Sequence, residues 1–195
     1  MRLLFIALLC FTFFACEEDV YLPKPRAYPK VTYPEKAYRQ FSSPECPFTF
    51  DYPVYAGLNK ETSFNNEAPP NDCWFDVTFP DFNGSIYFSY LPIDADNTFD
   101  QLRADAFKMT DWHTKRATYI NDVTFQRQDV RGILSEVEGP AASPYQFFLT
   151  DADETHFLRG ALYLNTQIQV DSLAPIYAFL KNDLDRMLDS FTWME

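Results

Sequence analysis

The hydrophobic positions of this 195-residue chain change their spacing several times, and each change predicts an element. Residues 3–14 are apolar apart from Thr12, with Arg2 before them and Glu17, Glu18 and Asp19 after them. Twelve residues span roughly 18 Å as a helix, too short for a bilayer core of about 30 Å. The run therefore reads as the apolar segment of an export signal rather than a membrane span. Residues 17–45 show no period. Pro23, Pro25, Pro29, Pro34 and Pro44 fix φ and remove backbone donors, which predicts an extended arm. Tyr21, Tyr28, Tyr33 and Tyr38 are more aromatics than a spacer needs, so the arm is read as lying along the domain or a partner. A mobile leash is the alternative.

From residue 46 the pattern alternates. Cys46, Phe48, Phe50 and Tyr52 share one face and Thr49 and Asp51 the other, a half-buried strand ended by Pro53. After a polar loop over 56–72, Cys73, Phe75, Val77 and Phe79 point one way and Trp74, Asp76 and Thr78 the other. A turn at 80–84 leads into a strand over 85–91, its hairpin partner. The period then lengthens. Phe99, Leu102, Ala106, Met109, His113, Ala117 and Ile120 recur every three or four residues, which predicts a helix over 97–120, with Thr98 and Gln101 as a capping box. Strands follow at 123–127, 130–138, 144–150 and 155–165. A last helix, capped at Asp171 or Ser172, presents Leu173, Ile176, Leu180, Leu184, Leu188 and Phe191.

Adjacent strands with short turns imply an antiparallel sheet, and the helices must cover its faces. The predicted class is α+β: a mostly antiparallel sheet of about six or seven strands flanked by helices. The element order resembles a Mog1/PsbP-like α/β/α sandwich. Three segments result: a signal peptide at 1–15, a lipidated N-terminus and proline-rich tether at 16–45, and a single α+β domain at 46–195.

Cysteines and charge sharpen this picture. Cys16 follows Ala15 at the end of the apolar run, the arrangement of a lipoprotein signal in which the cut leaves Cys16 as a lipidated N-terminus. Phe13 is bulkier than the usual residue there, and an ordinary cut without lipidation is the alternative. Several acyl chains on one cysteine make a stable anchor. Cys46 and Cys73 then remain, and an oxidising compartment favours their pairing; two buried thiols are the other reading. The net charge is −12, which excludes charge-driven binding to nucleic acid. The 20 Phe and 12 Tyr suit a β-rich core and aromatic contacts.

Few residues of the chain fall in patterns that carry chemistry. With 5 Gly there is no phosphate-cradling loop and no nucleotide cofactor motif. His113 reads as a packed helix-face histidine. His156 follows the acidic turn 151–154, where Asp151, Asp153 and Glu154 suggest either a small cation site or a solvated turn. Ser143 lacks the G-x-S-x-G elbow, but with His156 it defines the alternative reading, a hydrolase or small-ligand protein. Arg159 shares a strand face with Phe157, Ala161 and Tyr163 and needs an oxygen partner, either an internal ion pair or a site on a partner protein.

Several stretches carry a resemblance. These are Tyr21–Arg26 (YLPKPR), Pro34-Glu35-Lys36, CPFTF at 46–50, Cys73-Trp74, QFFLTD at 146–151, HFLRGALY at 156–163 and SFTW at 190–193. They are similar to the gliding motility lipoprotein GldD family of the Bacteroidetes, over essentially the whole mature chain. Ala27 departs from it where the family pattern leads us to expect Gly. The resemblance implies a cell-envelope lipoprotein without catalytic residues, working with the gliding and type IX secretion machinery. It implies an outer-membrane anchor, on the periplasmic face or the cell surface. Partner contacts are expected at Tyr21, Arg26, Trp74 and Arg159, with Tyr145 as a further exposed aromatic.

Overall fold

Alternating apolar positions bury one strand face each, and here they build two sheets. The computed structural model describes residues 30–61 and 67–194, and the compact unit begins at Val31. Strands β1 (Tyr38–Ser42) and β2 (Phe48–Pro53) pair antiparallel, Phe41 opposite Phe50. Seven further strands make a second antiparallel sheet: β3 (Gly57–Lys60), β4 (Phe75–Phe79), β5 (Gly84–Pro92), β6 (Tyr119–Arg127), β7 (Val130–Glu138), β8 (Tyr145–Thr150) and β9 (His156–Leu164). Their spatial order is β3-β4-β5-β9-β8-β7-β6. A short β10 (Thr192–Trp193) adds to the other edge of β2. Helix α1 (Phe99–Asp111) lies on one face of the large sheet, packing Leu102 and Ala106 on Phe148 and Phe157. Helix α2 (Val170–Ser190) and the small sheet cover the other face. The result is the expected α+β class, in three layers.

The larger core is aromatic where the two sheets meet. Phe41 stacks on Phe75 with ring centroids 4.7 Å apart, and Phe50 on Phe88 at 5.3 Å. Gly160 belongs to the same packing. A Cβ there would lie 2.1 Å from the end of the buried Phe147 ring, so a side chain would have to displace that ring. Cys46 and Cys73, both buried, are bonded to each other with Cα atoms 5.5 Å apart, tying the entry of β2 to the entry of β4.

The structure corrects three expectations. The folded body does not start at Cys46, because β1 falls within the stretch read as tether and is hydrogen-bonded along β2. The first helix stops at Asp111 rather than Ile120. The chain tightens into a 3₁₀ turn at Trp112–Lys115, the Thr114 hydroxyl donating to the Asp111 carbonyl at 2.6 Å, and from Tyr119 onward it belongs to β6. The loop expected over 56–72 contains edge strand β3, which pairs with β4 from Gly57 opposite Thr78 to Lys60 opposite Phe75.

The chain before β1 is fastened by a buried charge. Asp183 on α2 has no solvent exposure and accepts from Lys36 Nζ at 2.6 Å, from the Tyr38 hydroxyl at 2.9 Å and from the Tyr55 hydroxyl. Lys36 also donates to the Phe179 carbonyl at 2.9 Å and sits over the Phe179 ring. Burial lowers the Lys36 pKa by more than the bond and charge of Asp183 raise it. Burial first, and Asp183 second, push the Tyr38 phenol up to about 12 and raise that of Tyr55.

Candidate functional site

Helix α1 is too short to cover its face of the large sheet. It seals the end carrying Phe148 and Phe157 and leaves the end carrying Trp74, Asp76, Tyr87, Arg159 and Tyr163 open. The strand register assembles that end. Asp76 lies opposite Tyr87 and Tyr87 opposite Ala161, while Ser89 lies opposite Arg159. Strand spacings place the Cα atoms of Asp76 and Arg159 roughly 12 Å apart. Where α1 ends, Met109 and the 3₁₀ residues Trp112 and His113 form the opposite wall, closing a cleft of about 510 Å³. Trp112 is 73% exposed.

The cleft is electrically asymmetric. Arg159 donates to Gln146 Oε1 at 2.8 Å, and no carboxylate pairs with it among the described residues. Burial lowers its pKa, but a guanidinium keeps its charge at any ordinary pH. Burial first, and the charge of Arg159 second, hold His113 below its usual value, which favours the neutral ring. Across the cleft, burial first and Glu61 second push Asp76 up to about 6. A carboxylate with a raised folded pKa is most favourable to folding below its unfolded pKa, and that contribution is lost as pH rises through about 6. Because Asp76 is only half-buried, screening reduces the effect. Asp76→Asn is therefore expected to leave stability nearly unchanged at pH 4 and to raise it by about 1 kcal/mol at pH 8. Denaturant titrations at both pH values measure this; a gain confined to pH 4 would refute desolvation as the cause.

A second depression, of about 590 Å³, lies beyond α1 and is lined by Arg103 and Arg131. Its cations are already engaged. Arg103 pairs with Asp100 at 2.9 Å, and Arg131 donates to the Asp151 carbonyl at 3.0 Å and to the Ala152 carbonyl.

The predicted site residues divide clearly. Trp74 and Arg159 meet in the cleft. Trp74 is half-buried, its indole N–H donating to the Tyr90 carbonyl at 2.8 Å, rather than free on the surface. Tyr145 is also half-buried, on the other side of the sheet, packed against the main core with Lys181 5.7 Å from its ring centroid. His113 is a wall of the cleft and not a core residue. Cys16, Tyr21 and Arg26 lie outside the described residues. The Ser143–His156 pairing fails on geometry. Tyr145 lies opposite Leu162 and Thr150 opposite Phe157, so Ser143 and His156 sit at opposite ends of the β8–β9 pair; strand rise alone separates Tyr145 from His156 by roughly 20 Å, and Ser143 lies two residues beyond Tyr145. Ser143 has no exposure, and its hydroxyl donates to the Tyr145 carbonyl at 3.3 Å. His156 Nδ1 is 2.8 Å from the Tyr90 hydroxyl and its ring stacks on Trp193. In the acidic turn, the Asp151 carboxylate accepts from the Thr155 N–H and hydroxyl and from the His156 N–H, all within 2.8 Å. It shapes the turn.

Sequence reasoning missed Asp76, Trp112 and Asp183. Asp183 had a legible signal, since it adjoins Leu180 and Leu184 on the apolar stripe of its helix. Asp76 and Trp112 had none, because only tertiary packing sets α1's end and β4 on the walls of one cleft.

Comparison with known proteins adds three findings. A family model described as gliding motility lipoprotein GldD matches residues 18–193. No curated protein matches the sequence significantly. Among solved structures, the solution structure of cyanobacterial PsbP (CyanoP) from Synechocystis sp. PCC 6803 is similar, with a TM-score of 0.48 and 11% identity over 82% of this chain and 94% of that one.

Proposed function

From the premise that this chain belongs to the gliding motility lipoprotein GldD family, we propose that it works as a binding component of the gliding apparatus. The family makes it a lipoprotein of the cell envelope concerned with gliding. The finer reading is ours: residues 1–15 are removed, Cys16 carries the lipid that holds the protein at the outer membrane, and the folded body is an adaptor. It docks another protein of the gliding and type IX secretion machinery and breaks no bond itself. The arm residues Tyr21 and Arg26 add to that contact.

The open aromatic cleft around Arg159 carries this reading. Its chemistry is that of a contact surface, since Trp, Tyr and Arg dominate the energetic centres of protein interfaces. Returning variants to a strain lacking the protein tests it. Arg159→Gln and Cys16→Ala are expected to abolish colony spreading while the protein is still made, and Ser143→Ala is expected to glide normally. Normal gliding by Arg159→Gln would remove the cleft from the function. Loss of gliding in a folded Ser143→Ala protein would restore the hydrolase reading.

A further inference from the structure

The cation at the floor of the cleft has no counter-ion among the described residues, and this narrows what can bind. Arg159 uses one donor on Gln146 Oε1. A guanidinium presents five donors in a planar fork that matches a carboxylate in two parallel bonds. Withdrawing such a charge from water costs free energy unless a counter-ion meets it, so an arriving carboxylate gains both charge and geometry. The other residues exclude more highly charged ligands. His113 beside Arg159 favours its neutral form, so a phosphate dianion would face a single cation. Asp76 and Glu61 line the same cleft and repel a run of acidic residues. Part of the cleft suits an apolar ligand body, because Met109 and Ala161 line it beside the aromatic rings, while Phe88 turns its ring into the core on the other face of the sheet. Tyr87, Trp112 and Tyr163 supply broad aromatic walls of the kind that anchor protein segments.

We infer that the cleft receives the C-terminus of a partner polypeptide, its terminal carboxylate pairing with Arg159 and its last apolar or aromatic side chains packing between Trp112 and Tyr163. A chain end supplies one negative charge directly attached to apolar residues, which an internal acidic stretch does not. A volume of about 510 Å³ lies within the range of ligand pockets. This specifies the partner chemistry of the adaptor proposed above and rests on that reading.

The test uses the mature full chain and the tryptophan fluorescence of the cleft. N-acetyl-Ala-Leu-Phe with a free carboxylate is compared with its C-terminal amide and with glucuronic acid. The free acid is expected to give a saturable change, and the amide to bind about tenfold more weakly, the size of a lost charged hydrogen bond. Arg159→Gln should erase the preference for acid over amide. Trp112→Ala, at an exposed position that leaves the fold intact, should weaken both peptides. Equal binding of acid and amide, no binding of either, or preference for glucuronic acid would each overturn the inference. If peptide binding fails but Arg159→Gln still stops gliding, the terminus is wrong and the adaptor stands. If the acid binds as described while Arg159→Gln glides normally, the site is real and its role in gliding falls.

Discussion

Replacing Asp183 by alanine is expected to destabilise the folded protein by about 3 kcal/mol. Removing one partner of a buried ion pair costs about 3–5 kcal/mol, because the other charge is stranded. Here the stranded group is Lys36, whose side chain keeps 29% exposure. It can turn partly into water, which places the effect at the lower end. The Tyr38 and Tyr55 hydroxyls lose their acceptor together. Tyr38→Phe, which removes one hydroxyl and leaves the charge pair, is expected to cost about 1 kcal/mol. Urea denaturation of the three proteins measures both. Hydrogen exchange should also rise in β1 before the large sheet, since Tyr38 in that strand and Lys36 just before it are bonded to α2. If Asp183→Ala unfolds at the wild-type midpoint, the carboxylate does not hold the chain before β1, and the strand pairing of β1 with β2 alone must do so.

The strands and helices that were legible in the sequence are those whose side chains sort by face. The alternation of Phe75, Val77 and Phe79 predicts β4, and the stripe through Leu173, Leu180, Leu184 and Leu188 predicts α2, because burial follows the pattern directly. The elements that escaped notice lack that sorting. Strand β3 has no buried residue, and β1 has one, Phe41. Both are edge strands held mainly by backbone pairing, which is blind to side chains. The overlong helix shows the opposite error. Ala117 and Ile120 continue the helical spacing by coincidence, while the sheet claims the chain from Tyr119, where the backbone pairs with Glu138.

The cleft was half legible. Arg159 stood out because a guanidinium among apolar neighbours needs an oxygen, and the structure supplies a neutral one on Gln146 rather than a carboxylate. The wall formed by Met109, Trp112 and His113 was not legible, since their helical spacing suggested a packed face. Met109 is 46% exposed because α1 ends before it can close over the sheet. The same early ending that defeated the periodicity leaves the cleft open.

Replacing Cys46 and Cys73 together by serine is expected to lower stability by about 3.5 kcal/mol, the chain-entropy value for a loop of this length; the two residues are 27 apart in sequence. For a domain of this size that corresponds to a fall in Tm of about 10 °C. Changing both avoids a lone reactive thiol. The bridge joins the start of β2 in the small sheet to the start of β4 in the large one, so its loss should loosen the layer contact where Phe41 meets Phe75. Reductant should act slowly on the wild type, because both cysteines are almost fully buried and the bond is reached only after local opening. Once reduced, the wild type should unfold at the midpoint of the double variant, and the variant should not respond to reductant at all. The result also bears on compartment, since disulfides persist in oxidising spaces and are rare in the cytosol. If prolonged reduction leaves the wild-type midpoint unchanged, the bridge contributes nothing to the fold, and the envelope location loses its support from cysteine chemistry.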